Sequence, residues 1–165
     1  AIIGLLSSII LASLSTARVS ARDAKRMAEL TQIRNALELY HLDYGYYPAS
    51  PCGWDCNGYY YSHVAAQWDA FQLALAPYMG TVPRDPVNVS STGAGPWVTG
   101  NYVYTYGNVG RTTYPSQYDL TGQFENPNNP YRCGAKNYKW YFDNRVWCAA
   151  FGGSYTNYLY EASIQ

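Results

Sequence analysis

"AIIGLLSSIILASLSTARVSARDAKRMAELTQIRNALELYHLDYGYYP", residues 1–48, is the stretch that decides how the chain folds. Ala1 to Leu14 carries no charge and only three serines. Arg18, Arg22, Asp23, Lys25 and Arg26 then follow with no proline or turn between. From Arg18 to about Leu42 the chain reads as an amphipathic helix. Met27, Leu30, Ile33, Leu37 and Tyr40 recur at three- and four-residue steps, which is one stripe of a helix. Lys25 and Glu29, and likewise Arg34 and Glu38, stand four apart, so opposite charges are expected to meet on its surface. Pro48 is the first proline, and Gly45 is a plausible stop.

Joined end to end, both parts make one helix of about 42 residues and about 63 Å. A small domain has nowhere to bury such a rod along its length. Ile2, Ile3, Leu5, Leu6, Ile9, Ile10 and Leu14 must therefore be covered by lipid or by other subunits. Fourteen residues rise roughly 21 Å, short of a hydrocarbon core of about 30 Å. A cleaved signal peptide would need a basic leader, which this segment lacks. The reading that remains is the tail of a longer apolar helix.

The 165 residues suffice for one domain. Eleven basic and eleven acidic side chains cancel, which gives no argument for a nucleic-acid surface. Only 13% of residues are charged, against about 25% in an average soluble domain. Nineteen tyrosines point to contact surfaces, since each ring offers an apolar face and a polar tip. Cys52, Cys56, Cys133 and Cys148 suggest disulfides and an oxidising compartment. Three pairings are possible, with the local pairs Cys52–Cys56 and Cys133–Cys148 favoured. A zinc site would need closer spacing, and His41 and His63 stand far from the second cysteine pair.

Beyond the long helix, residues 44–58 read as a loop holding the first two cysteines. Residues 63–79 read as a short helix capped by Ser62, with Ala65, Trp68, Phe71, Leu75 and Tyr78 as its buried stripe. Tyr102, Tyr104 and Tyr106 alternate, placing three rings on one face of a strand. Asp143-Asn144 between aromatic runs signals a hairpin with Trp140 opposite Trp147. "YTNYLYEASIQ" reads as an edge strand or a strap over the sheet. The expected fold class is α+β, a long N-terminal helix over residues 1–43 packed on an antiparallel sheet within a globular domain over 44–165.

No catalytic constellation stands out, so an enzyme is not expected, nor a cofactor or metal. "FGGSY" lacks the glycine after serine that a nucleophile elbow needs. Gly93, Gly95 and Gly100 make no phosphate loop. His41 complements the helix C-terminus, and His63 reads as structural. Asn88-Val89-Ser90 fits a glycosylation triplet, which makes Asn88 a possible site.

The stretch 1–48 resembles the N-terminal helix of bacterial type IV pilins and of the related type II secretion pseudopilins. "VPRDP" (82–86), "YVYTY" (102–106) and "YDLTGQFENPNNP" (118–130) extend the likeness more loosely. The resemblance implies a short basic leader removed by a prepilin peptidase. It also implies about ten further apolar residues, with a glutamate, ahead of this chain, which would complete a membrane span. Such subunits sit in the inner membrane and are then packed by an assembly machinery among identical subunits in an extracellular filament, with no nucleic acid required for folding. Taken literally, the basic cluster Arg18, Arg22, Lys25 and Arg26 would place the globular part in the cytoplasm. The cysteines place it outside, and the implied leader would carry the opposing charges. Related pseudopilins hold calcium through loop oxygens, and Asp119, Glu125, Asn126 and Asn128 offer such ligands. Their spacing favours turn chemistry instead. Gly4, Ser7, Ser8, Ser13 and Ser15 imply local unwinding of the helix on assembly.

The expected role is thus major subunit of a cell-surface filament. The nearest competitor is a secretion pseudopilin. A competitor of another class is a membrane-tethered domain whose aromatics bind glycan or another ligand.

Overall fold

A computed structural model describes residues 2–50, 58–93, 95–96, 98–108, 118–126, 129, 131 and 159–161; side chains are described for all of these except 2–10, 12 and 159–161. Helix α1 runs unbroken from Ile2 to Tyr44, 43 residues, or about 64 Å. Its core-facing stripe is Leu30, Ile33 and Leu37, all fully buried, with Met27 and Tyr40 partly buried against the same core. The helix ends where Gly45 adopts φ +73° and returns its amide to the His41 carbonyl at 2.8 Å. This is the left-handed cap that glycine adopts without a Cβ penalty.

Strands β1 (Tyr59–Tyr61), β2 (Thr105–Gly107), β3 (Asp119–Gln123) and β4 (Leu159–Glu161) pair antiparallel in that order. The described elements therefore make an α+β arrangement of a long helix and a four-stranded antiparallel sheet. β4 lies at the edge of this sheet. Tyr60, Tyr106 and Leu120 stand in register across three strands. Tyr106 stacks on Phe71 of helix α2 (Ala65–Leu75) with ring centroids 4.3 Å apart. On α1's side of the sheet a side chain at Gly122 would meet Leu30 and Tyr104, with its Cβ 3.1 Å from each. The helix approaches β3 so closely that only glycine fits there without movement.

α2 is shorter than the expected 63–79. Trp68, Phe71 and Leu75 are buried, Tyr78 is partly buried beyond its end, and Ala65 is exposed. Ser62 does not cap it. The N-cap is Val64, with no side-chain cap bond, and the Ser62 hydroxyl is taken elsewhere. It donates to Asn88 Oδ1 at 2.6 Å and accepts the Tyr104 amide at 2.8 Å, tying the 81–90 loop to the chain entering β2. The Trp68 indole donates to the Pro83 carbonyl at 3.1 Å, fixing the "VPRDP" segment against α2. The cysteines and the Trp140–Trp147 hairpin lie outside the described residues.

Leu30 and Leu37 are fully buried between α1 and the sheet. Replacing both by glutamate removes apolar burial and inserts charge with no partner. Loss of about 3 kcal/mol or more per site is expected. Chemical denaturation of the double variant checks this, and a midpoint matching the parent's would contradict the packing.

Candidate assembly helix and its anchorage

α1 has two unlike halves. In residues 11–21 every side chain described is exposed except Val19, which is intermediate. Leu11 is 67% and Leu14 46% exposed, so this half projects beyond its own domain. From Asp23 onward the helix is seated. Among the described residues, no helix is long and apolar enough to cross a membrane. The described backbone is helical across Gly4 to Ser15. The seven apolar residues expected to form an assembly core all lie in the first turns of α1, with a side chain described only for Leu14.

The seat is electrostatic as well as apolar. Arg26, one member of the basic cluster Arg18, Arg22, Lys25 and Arg26, is fully buried. Its Nε and Nη2 donate to the two Asp85 oxygens at 2.7 and 3.0 Å. Its Nη1 donates to Asp23 at 2.8 Å and to Glu125 at 2.7 Å. The guanidinium also lies 5.1 Å from the Tyr102 ring centroid, within cation–π range. Arg22 makes a second fork onto Glu125. Asp23 in turn accepts the backbone amides of Glu125 and Asn126 at 2.9 and 3.0 Å. One helical turn thus grips both the 81–90 loop and the segment leaving β3.

Burial alone would lower the Arg26 pKa, but the hydrogen bonds and charges of Asp85 and Glu125 outweigh it and hold it above its ordinary value. Burial alone would raise the Glu125 carboxyl. The hydrogen bonds and charges of Arg22 and Arg26 instead hold it below the usual carboxylate range.

Further along α1, tyrosine hydroxyls cap the remaining carboxylates. Tyr104 donates to Glu29 at 2.6 Å, and Tyr78 to Asp43 at 2.6 Å. Tyr47 and Tyr118 both donate to Glu38, at 3.1 and 3.4 Å. The expected Lys25–Glu29 pair forms at 3.7 Å. Glu38, expected to pair with Arg34, instead accepts these two tyrosine hydroxyls. Burial pushes the Tyr104, Tyr118 and Tyr47 hydroxyls above their ordinary value, and the neighbouring Glu29 or Glu38 adds to the shift.

The other candidate residues fall as follows. Asn88 Nδ2, the atom a glycan would modify, donates to the Ser62 carbonyl at 3.3 Å, while Oδ1 receives the Ser62 hydroxyl. The side chain is turned into the fold. Asp119 and Glu125 are not brought together: Asp119 accepts Tyr59 OH on β3, and Glu125 sits in the arginine clamp beyond it. Among the described residues no cluster of three or more His, Cys, Asp or Glu could hold a metal ion. Asn128 lies outside them. His41 stacks on Tyr47 with centroids 4.5 Å apart, and His63 packs edge-on to Tyr61 at 5.7 Å.

Sequence reasoning missed the clamp, yet a signal was present. Asp23, Arg26, Leu30, Ile33, Leu37 and Tyr40 follow at steps of three and four, so the buried stripe runs straight back through Arg26. Nothing in the local spacing points to Asp85 or Glu125.

Arg26→Met leaves Asp85 buried without its partner, and loss of about 3–5 kcal/mol is expected. Arg26→Lys should recover only part, because an ammonium cannot reproduce the fork. Urea denaturation of the pair checks both. The pH dependence follows from the signs of the shifts. Glu125 is depressed in the folded state, so its contribution is present above the unfolded value of about 4.3 and is lost as pH falls below it. The raised tyrosines contribute fully below about pH 10 and lose that contribution as pH rises through their folded values. Alkaline titration at the tyrosinate absorbance band should show these rings ionising together with loss of helix signal, rather than before it.

No family model, curated protein or solved structure matches the chain, so its functional reading rests on the helix and its anchorage.

Proposed function

We propose that the chain is the major structural subunit of a type IV pilus-like filament, with a pilin fold, polymerising through α1. The observation that carries this reading is a rod whose described side chains over residues 11–21 are all exposed apart from the half-buried Val19. Opposite the buried stripe, Ala17, Ala21, Ala24, Ala28, Gln32, Asn35, Leu39 and Leu42 follow at steps of three and four. All are exposed, and none is charged. A small-residue face lets helices of other copies approach closely, and Leu39 and Leu42 extend it with apolar area. The role is structural rather than catalytic. The partners are identical subunits, with a prepilin peptidase and an assembly machinery acting before polymerisation. The route runs from the inner membrane to an extracellular filament, with the clamp keeping the globular part seated on the rod.

Electron microscopy of the native material tests this. Long thin fibres with bundled helices in the core are expected. Ala21→Glu with Ala28→Glu changes only exposed positions, so the domain should melt as the parent does while fibres disappear. Dispersed particles from the parent chain would overturn the reading in favour of a tethered monomer. Short stubs seen only beside a secretion complex would assign it to the pseudopilins.

A further inference from the structure

The turn that ends α1 gathers aromatic rings. Tyr40 lies 4.5 Å from Tyr44, 6.1 Å from Tyr46 and 5.9 Å from Tyr78, centroid to centroid, and Tyr44 and Tyr46 are 5.9 Å apart. The Gly45 cap fixes this grouping by folding Tyr46 back beside the last helical turn. The group meets solvent: Tyr44 is 52% exposed, and Tyr40, Tyr46 and Tyr78 are partly exposed. Asp43 stands among the rings, exposed, and accepts Tyr78 OH. Among the described residues, no basic side chain forms an ion pair with Asp43, whereas Asp23, Glu29, Asp85 and Glu125 each have one.

We propose that Tyr40, Tyr44, Tyr46, Tyr78 and Asp43 form a binding site for a small quaternary ammonium ion. Each ring face carries the negative lobe of its quadrupole, and the carboxylate supplies a negative charge that has no ion-pair partner among the described residues. The four rings are close enough for one guest to lie within about 6 Å of more than one centroid. Their inclination selects the guest. Tyr40 meets Tyr46 at 67° and Tyr78 at 70°, so the rings make walls rather than a flat platform. A sugar ring stacks best on a flat face, and a round methylated cation suits walls. Quaternary ammonium is also favoured over a protonated amine, because it sheds water more readily and needs no hydrogen-bond acceptor. The site does not depend on the reading of α1 as a polymerising helix.

The test is a titration of the full chain with tetramethylammonium chloride against sodium chloride at equal ionic strength. It is read by NMR as saturation transfer from tyrosine ring protons to the methyl groups. Saturable binding is expected. Tyr44→Ala should weaken it about two- to fivefold, the range of one exposed cation–π contact. Tyr44→Phe keeps the ring and should keep binding, which separates a lost contact from a disturbed turn. Asp43→Asn should weaken binding and flatten its salt dependence. Tyr131→Ala removes an exposed ring elsewhere, 57% exposed, and should change nothing. Choline should bind as well as tetramethylammonium, and arginine amide less well. No saturable signal, or equal binding by Tyr44→Ala, overturns the proposal. Tighter binding of arginine amide would assign the cluster to a basic side chain of a protein partner. A response to methyl β-glucoside in place of the ammonium would assign it to a neutral sugar.

Discussion

A single buried guanidinium decides how the rod meets the domain. Arg26 reaches Asp85 before β2 and Glu125 after β3, and shares Asp23 with the backbone that follows β3. Buried ion pairs are weak evidence for net stability, because desolvation offsets much of the attraction. Their value here lies in register. Leu30, Ile33, Leu37 and Tyr40 repeat so evenly that a slide of one helical turn, about 5.4 Å, would still set apolar side chains on the sheet. The fork onto Asp85 has no second solution. A slide would leave Arg26 and Asp85 buried and unpaired, which costs far more than a displaced leucine.

The tyrosines extend the same logic along the helix. α1 has four carboxylates, Asp23, Glu29, Glu38 and Asp43. Asp23 serves the clamp, and the other three receive tyrosine hydroxyls from the chain entering β2, from the segment entering β3, and from the turns after α1 and α2. Each such bond has a charged acceptor, which makes it stronger than a neutral one. It also gives a bulky ring a single orientation in the core. The low charge content and high tyrosine content of the chain are two sides of one arrangement. Tyrosine supplies both the apolar area and the donors that a helix with few opposite charges requires.

The helical stripe, the existence of α2 and the alternating tyrosines were legible because each follows from a period that local sequence displays. Of the three rings expected on one strand only Tyr106 lies in β2, where it stacks on Phe71 of α2, while Tyr102 and Tyr104 precede the strand and address α1 through Arg26 and Glu29. Arg26 was not singled out because the sequence groups it with Arg18 and Lys25, whereas the helix separates them by facing. The Ser62 cap failed for a related reason. A hydroxyl ahead of a helix satisfies the cap rule, but two stronger long-range partners, Asn88 and the Tyr104 amide, claim it first. Asp85 and Glu125 could not be read at all, since their roles arise only when separate loops converge on one turn.

The clamp stands where α1 leaves the domain. Ala21 is exposed and Asp23 is buried, so a pull along the projecting half enters the globular part at Arg22, Asp23 and Arg26. A purely apolar seat would yield there one side chain at a time, because hydrophobic contact is non-directional and tolerates sliding. Forked, charge-assisted bonds to two separate segments resist displacement along the helix axis until several break together. Any load along α1 therefore reaches the domain through this joint, and the low-charge helix places its buried charges there.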